Sequence, residues 1–381
     1  MSTSVLTERG FAETIAEHGG RVFRVGGCVR DQFMGATAKD IDFSVVGMVK
    51  KNFKELFPEA QEIGKSFPVF LLKIDGVKRE VAFARTEKKI GLGYKGFRVS
   101  AKPKITIEED LFRRDTTVNS MAKDCLTGEI IDPFGGRADI EAKVLRATSE
   151  HFSDDPMRAL RLAGHAARFA FAIDIATLPL MRATNVELDE EPVERMVAEL
   201  GKVLPEAKQP GRFFRVLAQT KLLSVTFKEL AALPAEEFAK GMERLDAVAN
   251  VTNNAKLRFA ALGTVLKKEM LTVWNKRMTL PSDWLDAAIT VSESIAFLEE
   301  ITADKVVDTM NKLRRGSLNL EEFDLVTQAT DVKIPQLGPM KAVMALAKGE
   351  AVPKSLQGKE IGEWLKTKQV EVLAKHLNSS N

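Results

Sequence analysis

Asp40 and Asp42 stand two residues apart in KDIDFSVV, where the following apolar and β-branched residues predict a strand. Residues i and i+2 of a strand share a face, so both carboxylates are expected to point the same way. Paired oxygen ligands at that spacing suit Mg²⁺, which takes carboxylates together with phosphate oxygens. A site of that kind activates a hydroxyl and stabilises a leaving pyrophosphate. Upstream, Gly26-Gly27-Cys28-Val29-Arg30-Asp31 puts a Gly-Gly step between a predicted strand and a predicted helix. Backbone N–H groups there can approach a triphosphate. Arg113-Arg114-Asp115 adds guanidinium groups able to grip phosphate bidentately. Its carboxylate can accept from a ribose 2′-hydroxyl, the group that separates RNA from DNA building blocks. Each feature is common by itself. Acidic pairs end many strands, Gly-Gly steps serve plain tight turns, and a lone RRD is usually a surface ion pair.

The elements that must hold these groups are legible. A helical pattern over Leu6 to Glu17 leads into RVFRVGG, a strand ending at the Gly-Gly turn. CVRDQFMG reads as a helix, DIDFSVVG as a strand and MVKKNFKELF as a helix. PVFLLKI and KREVAFAR are strand-like, and EIIDPFGG is a strand ending in a turn. These make an α/β head around a mixed sheet. From about Asp154 the strand signals fade. MRALRLAGHAARFAFAI, VERMVAELGKVL, PGRFFRVLAQTKLL, EEFAKGMERLDAVA and SDWLDAAITVSESIAFLEEI all space their apolar residues at i, i+3, i+4. An all-helical remainder is expected.

Composition sets the outer limits. With 381 residues, 45% hydrophobic and 29% charged, the chain can bury a sizeable core, which excludes general disorder. No apolar stretch nears the roughly 18 residues of a membrane helix, and the first twenty residues lack the pattern of a secretory signal. Cys28 and Cys125 are too few for a disulfide framework or a four-thiolate zinc site. A cytoplasmic protein without a membrane partner is expected. The net charge of +3 is mild, but Lys73 to Lys104 carries ten basic against three acidic residues, a local +7 that leaves −4 for the rest. Such a field attracts polyanions, RNA or triphosphates among them, although a basic run is also an ordinary solvated surface.

In combination the motifs are specific. GGCVRD, then Gly35, then DID after four further residues, resembles the signature of the class II tRNA nucleotidyltransferase and bacterial poly(A) polymerase family. LFRRDTTVNSMA (111–122) resembles the family's RRDFTINAMA, and DPFGGRADIEAKVLRA (132–147) its D-P-x-G-G segment. SDDPMRALRLAGHAARF (153–169) resembles EDPLRxLRxxRFAARF, and PVERMVAELGKVL (192–204) resembles the family's E-R-[IV] helix. The linking ARTEKKIGLGYKGF looks most like CCA-adding enzymes of the bacterial type that carry a hydrolase domain. The likeness is strong through about residue 225 and faint beyond it.

The resemblance implies a polymerase-β-like nucleotidyltransferase head at 1–147, a helical neck with a base-selecting motif at 148–225, and a helical body and tail at 226–381. It implies template-independent, Mg²⁺-dependent addition of CCA to tRNA 3′ ends from CTP and ATP, releasing pyrophosphate, with the helical body gripping the acceptor and T arms. Asp40 and Asp42 are then the catalytic metal pair. Gly26, Gly27, Arg30, Arg114 and Asp115 serve the triphosphate and ribose. Glu80 is a candidate third carboxylate. Asp155, Arg158 and Arg161 read the base: a carboxylate accepts from the exocyclic amine of C or A, while a guanidinium donates to the neighbouring ring nitrogen. Uracil and guanine reverse both bonds. A helix cap at Asp154, with Pro156 in the first turn, is the structural reading of the same segment. Asn119 is expected to bond local backbone. A poly(A) polymerase, an enzyme adding only CC or only A, and an RNA-binding protein without catalysis are the alternatives.

Three departures matter. Thr116 replaces a bulky apolar residue of the family, and Gly164-His165 stands where the family has Arg-Phe. Thr264-Val265 stands where hydrolase-bearing relatives carry His-Asp, and none of the four histidines is followed by aspartate. The phosphohydrolase activity is expected to be absent.

Overall fold

The computed structural model describes residues 5–63, 69–91, 93, 96–349, 352–353 and 355–379. Pro68 of the predicted PVFLLKI strand, and Leu92, Tyr94 and Lys95 of the linking segment, lie outside the described residues. The chain packs as two units, Met1–Ala166 with Ala170–Glu191 and Ala167–Phe169 with Pro192–Asn381. The expected boundaries at 147/148 and 225/226 each fall inside one of these units. Residues 153–166 pack with the head, burying Met157, Leu160 and Leu162 and bonding through Arg158 and Arg161.

Unit 1 is built on α1 (Glu8–Glu17), β1 (Arg21–Val25), α2 (Gly27–Phe33), β2 (Asp42–Val46), α3 (Lys50–Leu56), β3 (Gln61–Ile63), β4 (Val69–Ile74) and β5 (Val77–Phe83). A two-stranded ribbon follows, β6 (Thr86–Lys89) with β7 (Phe97–Ser100), and then α4 (Ile107–Phe112), β8 (Ala122–Asp124), β9 (Ile130–Ile131) and α5 (Gly136–Glu141). The main sheet has the order β3-β4-β5-β2-β1-β8-β9, with β2 and β5 parallel and the other pairs antiparallel. One face packs on α1 and α3 through Phe11, Phe43, Phe53, Phe57, Phe70 and Phe83, whose rings meet at centroid distances from 4.9 to 6.4 Å. Each contributes about 1.5–3 kcal/mol by burial. This aromatic layer fixes the register that sets the ends of β2 and β5.

β10 (Val144–Leu145), α6 (Met157–Phe169), β11 (Ala172–Ile173), α7 (Thr177–Ala183) and α8 (Asn185–Asp189) complete the sequence up to Glu191, with Ala167–Phe169 at the end of α6 counted in unit 2. The reading of 157–173 as one helix needs correction. Ala170 adopts φ 60°, the left-handed conformation that ends α6, and Ala172–Ile173 then pairs with Val144–Leu145. The strand predicted for DIDFSVVG also begins later, at Asp42, so Asp40 lies in the preceding loop.

Unit 2 is helical. It contains α9 (Val193–Glu206), α10 (Pro210–Gln219), α11 (Leu223–Thr226), α12 (Lys228–Ala231), α13 (Ala235–Ala249), α14 (Ala255–Ala260), α15 (Lys268–Met278), α16 (Ser282–Phe297), α17 (Ala303–Leu313), α18 (Leu320–Ala329), α19 (Leu337–Ala345) and α20 (Lys359–Ser379). Its core runs from Val248 and Leu257 to Leu337 and Leu373. Arg258, only 5% exposed, ties this unit internally by donating to the carbonyls of Leu204, Ala207, Ala249 and Thr252 at 2.5, 2.9, 3.1 and 2.6 Å. Those carbonyls lie at or just beyond the ends of α9 and α13, where the helix leaves its acceptors without internal partners. Thr264 bonds the Ala261 carbonyl, and Val265 packs so closely on α13 that a Cβ at Gly241 would lie 2.7 Å from its methyl group.

Candidate active site

Strands β1, β2 and β5 position the acidic residues. Val25 pairs with Asp42 across β1 and β2, and Asp42 pairs with Glu80 across the parallel strands. Asp40, Asp42 and Glu80 are exposed, whereas Phe43 and Val81, one residue further along, are buried. Although Asp42 is open to solvent in part, protein packed around its carboxyl group raises its pKa, and the charge of Glu80 adds to the shift. Arg114 opposes it, and Asp40 reinforces it. Hard carboxylate oxygens whose mutual repulsion a cation relieves fit Mg²⁺. Among the described residues no group of three or more acidic, histidine or cysteine side chains forms a ready-made metal cage. An Mg²⁺ ion held by two carboxylates would take its other ligands from phosphate oxygens and water.

The Gly-Gly step lies against two guanidinium groups. Gly26 has φ 75°, and a Cβ there would lie 2.9 Å from Nη1 of Arg114. A Cβ at Gly27 would lie 3.4 Å from Nη2 of Arg30. Arg114 donates through Nη2 to Asp110 at 3.1 Å, while its buried Nε has no hydrogen-bond partner among the described residues. An unmet donor on a half-buried cation is a place for an anion's oxygen. Asp110, in the first turn of the short helix α4, also accepts from the Arg85 amide and from Nε and Nη2 of Arg113. Its burial works to raise its pKa, but Arg113 and Arg114 outweigh that and hold it below the usual carboxylate range.

Arg30 is itself buried, donating to Asp31 at 2.6 and 2.9 Å and to Oδ1 of Asn119 at 2.6 Å. Asn119 in turn donates to Oδ1 of Asp115 at 3.1 Å. The expectation that Asn119 bonds backbone is corrected: its side chain links two of the candidate residues. A short 3-10 turn at Thr117–Asn119, entered from the Thr116–Ala147 bridge, sets that geometry.

Asp115 reaches α6, the helix of the candidate base-selecting segment. Its Oδ2 lies 3.4 Å from Nε of Arg161, whose Nη2 donates to Asp155 at 2.9 Å. Burial works to raise the Asp115 carboxyl, but Arg161, His165, the Asn119 amide and the Thr116 backbone N–H together hold it far below the carboxylate range. Asp155 also accepts from the Met157 amide at 3.0 Å. The capping carboxylate is thus Asp155 rather than Asp154, which instead pairs with His151 at 2.9 Å. Arg158 is buried, donates to the His151 carbonyl at 2.5 Å and lies 3.9 Å from Glu87. Every sequence-predicted site residue belongs to unit 1, and two bonded clusters join most of them.

Sequence reasoning missed Asp110, Glu87 and Lys89. Glu87 accepts from Arg85 at 2.9 Å and Arg113 at 3.1 Å, and Lys89 bonds Glu187 and, at 3.0 Å, the Asp154 carbonyl. The spacing of Asp110 to Arg113 and Arg114, i+3 and i+4 at a helix end, was a usable signal. Nothing local in the sequence pairs Glu87 with Arg113, 26 positions away, or Lys89 with partners 65 and 98 positions away.

Residues 22–146 match the family model of the poly A polymerase head domain, and residues 170–233 match a probable RNA and SrmB-binding site of polymerase A. A CCA-adding enzyme of Coxiella burnetii (strain RSA 331 / Henzerling II) is 34% identical over 372 residues, covering 93% of this chain and 94% of that protein. The chain belongs to the CCA-adding enzyme family. A multifunctional CCA protein of Haemophilus influenzae (strain PittGG) is 41% identical, covering 80% of this chain and 82% of that one. The solved structure of a Thermotoga maritima CCA-adding enzyme complexed with tRNA_CCA superposes with a TM-score of 0.67 at 23% identity, over 98% of this chain and 95% of that one. That likeness carries the fold. Membership carries the enzyme class, an RNA nucleotidyltransferase, and agrees with the family resemblance of the motifs.

Proposed function

We propose that the protein completes or repairs the 3′ CCA end of tRNA from CTP and ATP without a nucleic-acid template. The observation that carries this reading is the bonded series Asp115–Arg161–Asp155, which connects the RRD motif to the base-selecting helix within one unit. The terminal ribose 3′-hydroxyl of the RNA attacks the α-phosphorus, the bond to the β-phosphate bridge breaks, and pyrophosphate leaves with the proton lost to solvent. Asp40 and Asp42 would hold Mg²⁺, which supplies a more acidic hydroxyl and charge neutralisation at the leaving group. Arg114 gives the phosphates a donor already held in place by Asp110, and Arg30 backs the Gly26–Gly27 step from inside the fold. Asp115 orients the ribose.

Asp155 accepts from the amine of C or A, Arg158 donates to the adjacent ring nitrogen, and Arg161 holds the Asp155 carboxylate in place. An unpaired buried group costs about 1–3 kcal/mol, so U and G are rejected. We assign nucleotide transfer to 1–147, base selection to 148–225 and grip on the tRNA acceptor and T arms to 226–381. That grip works by shape and phosphate contact. The proposed site of action is the cytoplasm; no described helix is long and apolar enough to cross a membrane. The deciding experiment supplies a tRNA lacking CCA with CTP, ATP or both and sequences the added ends. Addition of CC with CTP alone, and of CCA with both, is expected. A long A tail or no addition would overturn the reading.

A further inference from the structure

The β6–β7 ribbon has one face whose charges are paired and one whose charges are not. Strand alternation places Glu87 and Lys89 on one face, and there each charge is paired: Glu87 with Arg85 and Arg113, Lys89 with Glu187. On the other face Lys88 is directly opposite Arg98 in the ribbon's register, and both are exposed. Lys102 and Lys104, exposed on the segment that leaves β7, extend the same sign of charge. Among the described residues none of these four side chains has a counter-ion. Like charges directly across a strand pair destabilise it. The ribbon holds this pair because its inner face is anchored, Lys89 bonding the carbonyl of Asp154 next to Asp155. The unpaired outer face is therefore carried within one ribbon of the candidate base-reading segment.

We propose that Lys88 and Arg98, continued by Lys102 and Lys104, form a docking strip for the phosphodiester backbone of the RNA being extended. It rests on the RNA-polymerising reading and adds an RNA contact on the head. An anionic backbone neutralises the opposed pair, and each phosphate contact releases condensed counter-ions. Lys73 and Lys78 on β4 and β5 are opposed in the same way, but they share their turn with Asp75 and provide a charge-matched control.

The test compares wild type, the double variant Lys88→Gln/Arg98→Gln and the control Lys73→Gln/Lys78→Gln. Each is titrated with a tRNA lacking CCA between 50 and 300 mM KCl, and KM is measured for tRNA and CTP separately. Loss of two phosphate contacts should flatten the slope of log K against log salt by about 1.4–1.8. If the two proteins converge near 1 M salt, binding at 0.1 M weakens by roughly 25- to 60-fold. KM for tRNA should rise while KM for CTP stays, and the control should keep the wild-type slope. An unchanged slope in the double variant, or an equal change in the control, overturns the proposal. Failure of the polymerising reading is a separate outcome, seen as no incorporation by wild type.

Discussion

Asp42 and Glu80 are register partners across the parallel strand pair of the seven-stranded sheet, β2 beside β5. Packing around the Asp42 carboxyl and the nearby Glu80 charge both raise the Asp42 pKa above that of the unfolded chain. The fold thus holds a carboxylate where ionisation is disfavoured.

That arrangement has a stability consequence opposite to its catalytic one. A raised folded pKa means that the protonated form is favoured by folding, and this advantage is lost as pH rises through the folded pKa. At pH 7 ionised Asp42 destabilises the ligand-free protein. Asp42→Asn should abolish nearly all nucleotide incorporation, leave tRNA binding largely intact and raise Tm at pH 7. The Tm difference should shrink as pH falls below the ordinary carboxylate range. Added Mg²⁺ should raise the Tm of wild type more than that of the variant. Near-normal turnover in the variant at saturating Mg²⁺ would remove the metal assignment.

Asp110 gives the reverse sign. Its folded pKa is depressed, because Arg113 and Arg114 outweigh its burial, so its contribution is present above the unfolded pKa and lost as pH falls through the folded one. Asp110→Asn leaves the guanidinium groups of Arg113 and Arg114 without their shared carboxylate. A loss of about 3–5 kcal/mol is expected, with the gap to wild type closing in acid. Because Arg114 loses its anchor, KM for CTP should rise in whatever fraction remains folded. Thermal melts from pH 3 to 7, beside CTP kinetics, check both parts.

The order of elements was legible because the head follows simple periodicities. Short apolar runs end at Gly or Pro, and the helical region repeats at i, i+3, i+4. What was not legible depended on long-range partners. The β6–β7 ribbon reads as a charged linker, since its inner residues Glu87 and Lys89 find partners only in the folded chain. The stop of α6 at Ala170 has no Gly or Pro to mark it; pairing of Ala172–Ile173 with Val144–Leu145 is what ends the helix. For the candidate site, the bonding of Arg161, rather than Arg158, to Asp155 appears only in three dimensions, as do the places of Asp110, Glu87 and Lys89.

The helical unit should lack phosphohydrolase activity. Thr264 spends its hydroxyl on the Ala261 carbonyl and Val265 is packed against Gly241, so the position where the family resemblance sets His-Asp holds no histidine or carboxylate for a transition metal. Purified protein supplied with Ni²⁺, Co²⁺ or Mn²⁺ should not open 2′,3′-cyclic phosphates. Metal-stimulated hydrolysis that survives rigorous purification would count against this.

The base-selection mechanism is tested at Asp155. Its carboxylate holds Arg161 at 2.9 Å and caps the Met157 amide at 3.0 Å, so a substitution has structural as well as chemical effects. Loss of the cap costs about 1 kcal/mol and affects every nucleotide alike. Asp155→Ala also removes the group that accepts from the amine of C or A and repels the carbonyl of U or G. Lost attraction should cost about 1.5–3 kcal/mol, roughly 10- to 150-fold in kcat/KM for CTP and ATP. Lost repulsion leaves UTP less penalised, so the CTP-to-UTP ratio must fall. Asp155→Asn sharpens the comparison: its oxygen can keep the cap while its amide donates to a carbonyl, so UTP should gain further on CTP. Competition between CTP and UTP on a tRNA ending before its CCA, with wild type beside both variants, gives the ratio directly. If both variants slow all nucleotides equally and the ratio holds, Asp155 is a helix cap and an anchor for Arg161, and the base must be read elsewhere.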